Sequence, residues 1–159
     1  VNGKTKTLIL GLGNSLLCDD GVGIYVAAEL KNRINQPEIT VMETGAAGLS
    51  LLDLLVGYDK AIIIDAIQTV GGKAGQIYRL EPKAFDTALH TASAHGIDFT
   101  TAIEFGKKLG LSLPQQIIIF AIEASDVNTF REECTPEVRQ AIPTCIEMIL
   151  RELKGGDSY

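Results

Sequence analysis

Thr7-Leu8-Ile9-Leu10-Gly11-Leu12-Gly13-Asn14-Ser15-Leu16-Leu17-Cys18-Asp19-Asp20-Gly21-Val22-Gly23 reads as a strand, a glycine-rich turn and the start of a helix. The apolar run Thr7–Leu10 is of strand length, and the helical stretch from about Gly21 to Arg33 carries Val22, Val26 and Leu30 at i, i+4 and i+8. A second strand at Ile39–Met42, a short helix around Leu49 to Val56 and a third strand at Ala61–Ile64 follow. The third is apolar at every position, as in a strand covered on both faces. Gly75–Leu80 alternates and reads as another strand after the Gly71-Gly72 turn.

Beyond a small-residue loop through Ser93-Ala94-His95-Gly96, a helix is expected from about Asp98 to Leu109, closed by Gly110 at C′. Ile117–Phe120 is a further buried strand. Thr135-Pro136-Glu137 opens a last helix, running to about Leu153, with a capping hydroxyl and a proline at the first helical position. The alternation predicts an α/β fold: a single-domain, three-layer αβα sandwich with a mostly parallel twisted sheet of about five strands. The strand around Ile77 is expected to lie antiparallel at an edge. One domain is expected over 1–159, with an ordered core at about 7–153 and a frayed tail at 154–159.

Composition narrows the function. The 159 residues are 46% hydrophobic and 21% charged, with a formal net charge of −6 and a pI near 4.9. An acidic surface without a basic stripe argues against nucleic acid as a partner. No apolar run is long enough to span a bilayer, and the N-terminus does not read as a secretory signal. The three cysteines Cys18, Cys134 and Cys145 are irregularly spaced, which fits a reducing cytoplasm. Cys134 and Cys145 read as unreactive thiols, while Cys18 lies two residues before Asp20.

In open α/β sheets, ligands gather beyond the carboxyl ends of the strands. The acidic and imidazole groups expected there are Asp19 and Asp20 after the first strand, Glu43 after the second, Asp65 after the third, and His95 in the long loop. Asp20, Asp65 and His95 together could hold a divalent first-row metal with open positions for a substrate. Carboxylates crowded together resist joint ionisation, and a cation resolves the conflict. One of Asp19 and Asp20 should instead cap the helix that begins near Gly21, and that role is given to Asp19. His90 reads as solvent-facing.

The strand–Gly11-x-Gly13–helix order also fits a dinucleotide-binding Rossmann-like module, the main alternative. Its fingerprint needs a third glycine where this chain has Leu16, and two aspartates would stand against the pyrophosphate. Gly11-Leu12-Gly13-Asn14 is similar to the opening of peptidyl-tRNA hydrolases too, but Ser15 replaces that family's proline and no early histidine is present.

From about Thr7 to Leu153 the chain resembles the hydrogenase maturation peptidases. The resemblance is carried by Gly11–Gly23, which matches G-x-G-N-x-L-x-x-D-[DE]-G-x-G, and by Glu43-Thr44-Gly45-Ala46-Ala47-Gly48 before a leucine-rich helix. Ile63-Ile64-Asp65-Ala66, His95-Gly96 and Thr135–Val138 complete it. It implies an endopeptidase that removes the C-terminal extension of a nickel–iron hydrogenase large-subunit precursor after nickel insertion. The implied catalytic and metal-binding positions are Asp20, Asp65 and His95, with nickel carried by the substrate. Three departures stand out: Asp20 where the family often has Glu, Glu43 where it commonly has Asp, and Ser93-Ala94-His95 in place of the frequent S-P-H. No H-E-x-x-H zinc pair is present.

Overall fold

Successive side chains of each central strand point to opposite faces, and both faces are apolar. Ile9, Ile62, Ile64, Ile118, Phe120 and Ile122 enter one buried cluster. Their neighbours Leu8, Leu10, Ala61, Ile63, Ile119 and Ala121 enter another. A computed structural model of the chain, describing residues 3–89 and 98–155, shows the sheet that this pattern requires. The five strands are β1 (Thr7–Leu12), β2 (Ile39–Thr44), β3 (Lys60–Ile67), β4 (Ile77–Leu80) and β5 (Gln116–Glu123). Their spatial order is β2-β1-β3-β5-β4. All pairs are parallel except β4 with β5, so the expected antiparallel edge strand is β4.

Helices cover both faces, as expected for the three-layer sandwich. α1 (Val22–Arg33) and α5 (Pro136–Lys154) bury Val26, Leu30, Val138, Cys145 and Ile149 against one face. On the other, α2 (Leu51–Leu55) and α3 (Pro82–Ala88) bury Leu51, Leu55 and Phe85, and Phe99 of α4 (Phe99–Lys108) packs against the same cluster. No helix among the described residues is long and apolar enough to cross a membrane.

Several boundaries differ from the sequence reading. β3 and β5 run three residues past Ile64 and Phe120, because their ladder continues from Asp65↔Ala121 to Ile67↔Glu123 after β1 has left at Gly11↔Ile64. α3 was not anticipated, although Pro82 at its first position is a helix-start signal. α5 reaches Lys154, and the expected tail lies, from Gly156 on, outside the described residues. Thr135 is the N-cap residue of α5, but its hydroxyl makes no capping bond; it donates to Asp19 instead.

The glycines of the first turn serve close packing. A Cβ on Gly23 would overlap the Ile64 carbonyl oxygen, and one on Gly11 would overlap that of Gly23. The start of α1 therefore lies directly on β1 and β3. Gly13 adopts φ +140°, and the space a side chain would take is filled by the Asp20 carbonyl oxygen. The approach that a dinucleotide fingerprint keeps open for a pyrophosphate is occupied by the chain itself.

Candidate active site

β1 is joined to β2 on one side and to β3 on the other, so the connections diverge at its carboxyl end. Such a switch point leaves a crevice between the diverging loops. Here it is a cleft of about 780 Å³, with Asp20, Glu43, Asp65, Phe85, Asp98 and Asn128 among its lining residues.

Asp65 comes to the cleft because β1 ends its pairing one residue earlier, while β5 holds the strand straight beyond it. Its side chain is only 7% exposed. Oδ1 accepts from the Ala66 N–H at 2.9 Å. Burial pushes the Asp65 carboxyl well above the usual carboxylate range, and the nearby Asp20 charge adds to the shift; the Ala66 N–H opposes both. The pair of carboxylates expected from the sequence is thus brought to one site.

Asp20 lies in a short 3₁₀ turn, Cys18–Gly21, that links β1 to α1. Its Oδ2 accepts from the Asn14 N–H at 3.0 Å, and its own N–H donates to the Leu17 carbonyl at 3.0 Å. The Asn14 side chain in turn accepts from the Leu16 N–H. The Gly13-Asn14 corner therefore sets the pose of the Asp20 carboxylate.

Asp19 does not cap α1. The N-cap position is Gly21, with no side-chain capping bond. Asp19 is fully buried and points the other way, into the connection between β5 and α5. Its Oδ2 accepts from the N–H groups of Ser125 (2.9 Å) and Asp126 (3.0 Å), and its Oδ1 from that of Thr135 (2.7 Å). The Thr135 hydroxyl completes the set. These partners lie more than a hundred residues away, which is why local sequence reasoning assigned Asp19 to the adjacent helix.

Glu43 reaches the cleft rim from β2 and forms an ion pair with Lys31 of α1 at 3.4 Å. Cys18 is a buried residue held at φ +51°, with its N–H donating to the Arg131 carbonyl at 2.9 Å. Burial, then the Asp19 charge, raises its thiol pKa. Burial also pushes the Cys134 thiol up to about 12. Protonated, enclosed thiols of this kind are poor nucleophiles.

His95 and His90 lie outside the described residues. The chain enters that segment after Leu89 and leaves it before Asp98, and both of those residues line the cleft. The two ends are fastened together. Asp86 of α3 accepts from the Phe99 and Thr100 N–H groups and from the Thr100 hydroxyl at 2.7–3.1 Å. The Phe85 and Phe99 rings meet edge to face at 5.2 Å. Asp98 caps α4 by accepting from the Thr101 N–H at 2.7 Å. Sequence reasoning missed the Asp86 clasp, since its partners lie 13 and 14 residues further along the chain. Among the described residues, no three His, Cys, Asp or Glu side chains form a metal nest.

The sequence profile of the HycI hydrogenase maturation protease family matches residues 24–152. The chain belongs to this family. It is accordingly a peptide hydrolase, and the nucleotide-binding alternative is not favoured. It is 31% identical over 144 residues to Protein FrxA of Pyrococcus furiosus, covering 87% of this chain and 98% of that one. It is 25% identical over 154 residues to the Hydrogenase 2 maturation protease of Escherichia coli, with 94% and 91% covered. The solved hydrogenase maturating endopeptidase HybD from E. coli superposes on the peptidase with a TM-score of 0.82 at 25% identity, over 94% of this chain and 92% of that one.

Proposed function

We propose that this peptidase removes the C-terminal extension of a nickel–iron hydrogenase large-subunit precursor after nickel has been inserted. In this reading Asp20, Asp65 and His95 recognise the nickel that the precursor carries, and nickel enters the site as part of the substrate. The observation that carries the proposal is the convergence of Asp20 and the buried Asp65 on one cleft at the carboxyl edge of the sheet. The Asp20 charge, after burial, disfavours ionisation of Asp65, and a dication bound between the two carboxylates would relieve that conflict. Carboxylate oxygens with an imidazole suit a divalent first-row metal.

Binding through nickel would hold the adjoining peptide against the cleft and orient its scissile bond. The same dication could polarise a peptide carbonyl or a water molecule. The Gly13-Asn14 corner keeps the Asp20 carboxylate in place, and Asp65 is held by the Ala66 N–H. Thiol chemistry has no support, because Cys18 and Cys134 are buried with raised pKa values. The buried free thiols also accord with a reducing, cytoplasmic setting.

Calorimetric titration with Ni²⁺ and with Cd²⁺ tests the recognition site. The wild type is expected to bind, with affinity falling by about 100-fold or more in Asp20→Ala and in Asp65→Asn, because each removes a metal-contacting carboxylate and the loss of even an outer-shell partner costs about 10–100-fold. Titration with NAD is expected to give no saturable heat. Metal affinity indifferent to both substitutions, or NAD binding, contradicts the proposal.

A further inference from the structure

Peptide hydrolysis moves negative charge onto the carbonyl oxygen, so a peptidase gains from an N–H donor fixed where that charge appears. Among the described residues, the charged side chains that line the cleft are Asp20, Glu43, Asp65, Asp86 and Asp98, all of them acidic. No lysine or arginine stands with them. The side-chain N–H groups of this wall are the amides of Asn14, Gln68 and Asn128.

The three amides differ in how they are held. Gln68 and Asn128 are exposed, and no bond among the described residues fixes either side chain. Asn14 is exposed as well, but its Oδ1 accepts from the Leu16 N–H at 3.0 Å, closing a turn on its own loop. A backbone N–H can only donate, so the bonded atom is the amide oxygen and the group has one orientation. The Nδ2 amino group lies opposite that oxygen, and no acceptor among the described residues takes it. The main chain of Asn14 is held too: its N–H donates to Asp20 Oδ2 at 3.0 Å, and its carbonyl accepts from the Leu17 N–H at 3.1 Å. Asn14 and the Asp20 carboxylate therefore form one corner of the cleft.

We infer that Asn14 is a catalytic residue of the hydrolysis, its Nδ2 amino group donating to the scissile carbonyl oxygen as that oxygen becomes an oxyanion. The assignment rests on the reading of the chain as a precursor peptidase. A water oxygen adds to the carbonyl carbon, and the π pair of the C=O bond moves onto the oxygen that meets Asn14. A proton from the water passes to the departing nitrogen. The pair then returns to re-form C=O as the C–N bond breaks, leaving a carboxyl group and a free amine. A donor held in place before the substrate arrives favours the charged oxygen over the neutral carbonyl, so its effect falls on the rate and not on binding.

The test follows cleavage of a nickel-loaded large-subunit precursor by wild type, Asn14→Ser and Asn14→Ala, with intact mass giving kcat and KM. Calorimetry with Ni²⁺ and thermal melts accompany it. Both variants keep the main-chain N–H for Asp20, and neither carries the amino group. Only serine keeps an oxygen for the Leu16 N–H. Both are expected to lose kcat by about 100-fold or more, with KM and Ni²⁺ affinity near those of the wild type. Asn14→Ser should also keep the wild-type melting temperature. A wild-type kcat in Asn14→Ser overturns the assignment, because the residue would then serve the turn alone. So does a rise in KM with kcat unchanged, or a loss of Ni²⁺ affinity that matches the loss of rate. A wild type that leaves the precursor intact defeats the peptidase reading and the assignment together, whereas unimpaired Asn14 variants of an active wild type defeat the assignment alone.

Discussion

Asp65→Asn is expected to abolish precursor cleavage while making the peptidase more heat-stable at neutral pH. The activity loss should reach two to three orders of magnitude, the scale on which misplacing or removing a group that orients or stabilises the reacting centre acts. The stability gain follows from linkage. Burial and the Asp20 charge raise the folded-state pKa of Asp65 above its unfolded value, which is about 3.9. Below that value both states hold the proton and the carboxyl costs nothing. As the pH rises, the unfolded chain releases its proton first, so wild-type stability falls until the folded pKa is passed and then levels off. Asparagine keeps an oxygen for the Ala66 N–H and carries no charge to desolvate. The two melting temperatures should therefore coincide near pH 3 and separate above about pH 4, with the variant higher. Thermal melts across this range, with cleavage measured in parallel, check both parts. A less stable Asp65→Asn at pH 7, or one that cleaves at the wild-type rate, contradicts the account. A residue that costs stability and is needed for activity is serving function.

The adjacent position should behave in the opposite way. Asp19→Ala removes a fully buried carboxylate that accepts from three backbone N–H groups and the Thr135 hydroxyl. Leaving donors of this kind without partners costs about 1–3 kcal/mol each, discounted here because Ser125 can reach water. A net loss of about 3–5 kcal/mol is expected, in line with breaking a buried charged network. For a chain of this size that lowers Tm by roughly 10 °C. Asp20→Ala, whose carboxylate is half-buried at the cleft, should lose metal affinity with a much smaller change in Tm. Denaturant melts of the two variants separate the roles. Equal destabilisation by Asp19→Ala and Asp20→Ala would show that the division between clasp and site is wrong.

What the sequence disclosed depended on how local the cause was. Ile62-Ile63-Ile64-Asp65 was legible because an unbroken apolar run followed by an acid reports both a doubly covered strand and its ligand end. The arrival of β3 at Ile67 was not, because the last residues are held by pairing with β5 and not by their own pattern. Asp19 and Asp20 share one local context, and only tertiary structure separates them. One is turned into the β5–α5 loop and the other toward the cleft. Thr135 was read as a capping hydroxyl for the same reason: its true partner, Asp19, is distant in sequence. The glycines Gly11 and Gly23 were visible as a motif, but their purpose, the contact of α1 with β1 and β3, is set by tertiary packing that no local pattern reports. His95 was named from its loop and from the family resemblance, and it remains part of the proposal on those grounds.

The central claim is that Asp20 and Asp65 read the nickel borne by a protein substrate. Its most direct test is intact-mass spectrometry of a large-subunit precursor incubated with the wild-type peptidase, once loaded with nickel and once as the apoprotein. The account predicts a precursor shortened at its C-terminus only in the nickel-loaded sample, with no shortening by Asp20→Ala or Asp65→Asn. Equal shortening of both samples by the wild type would contradict it.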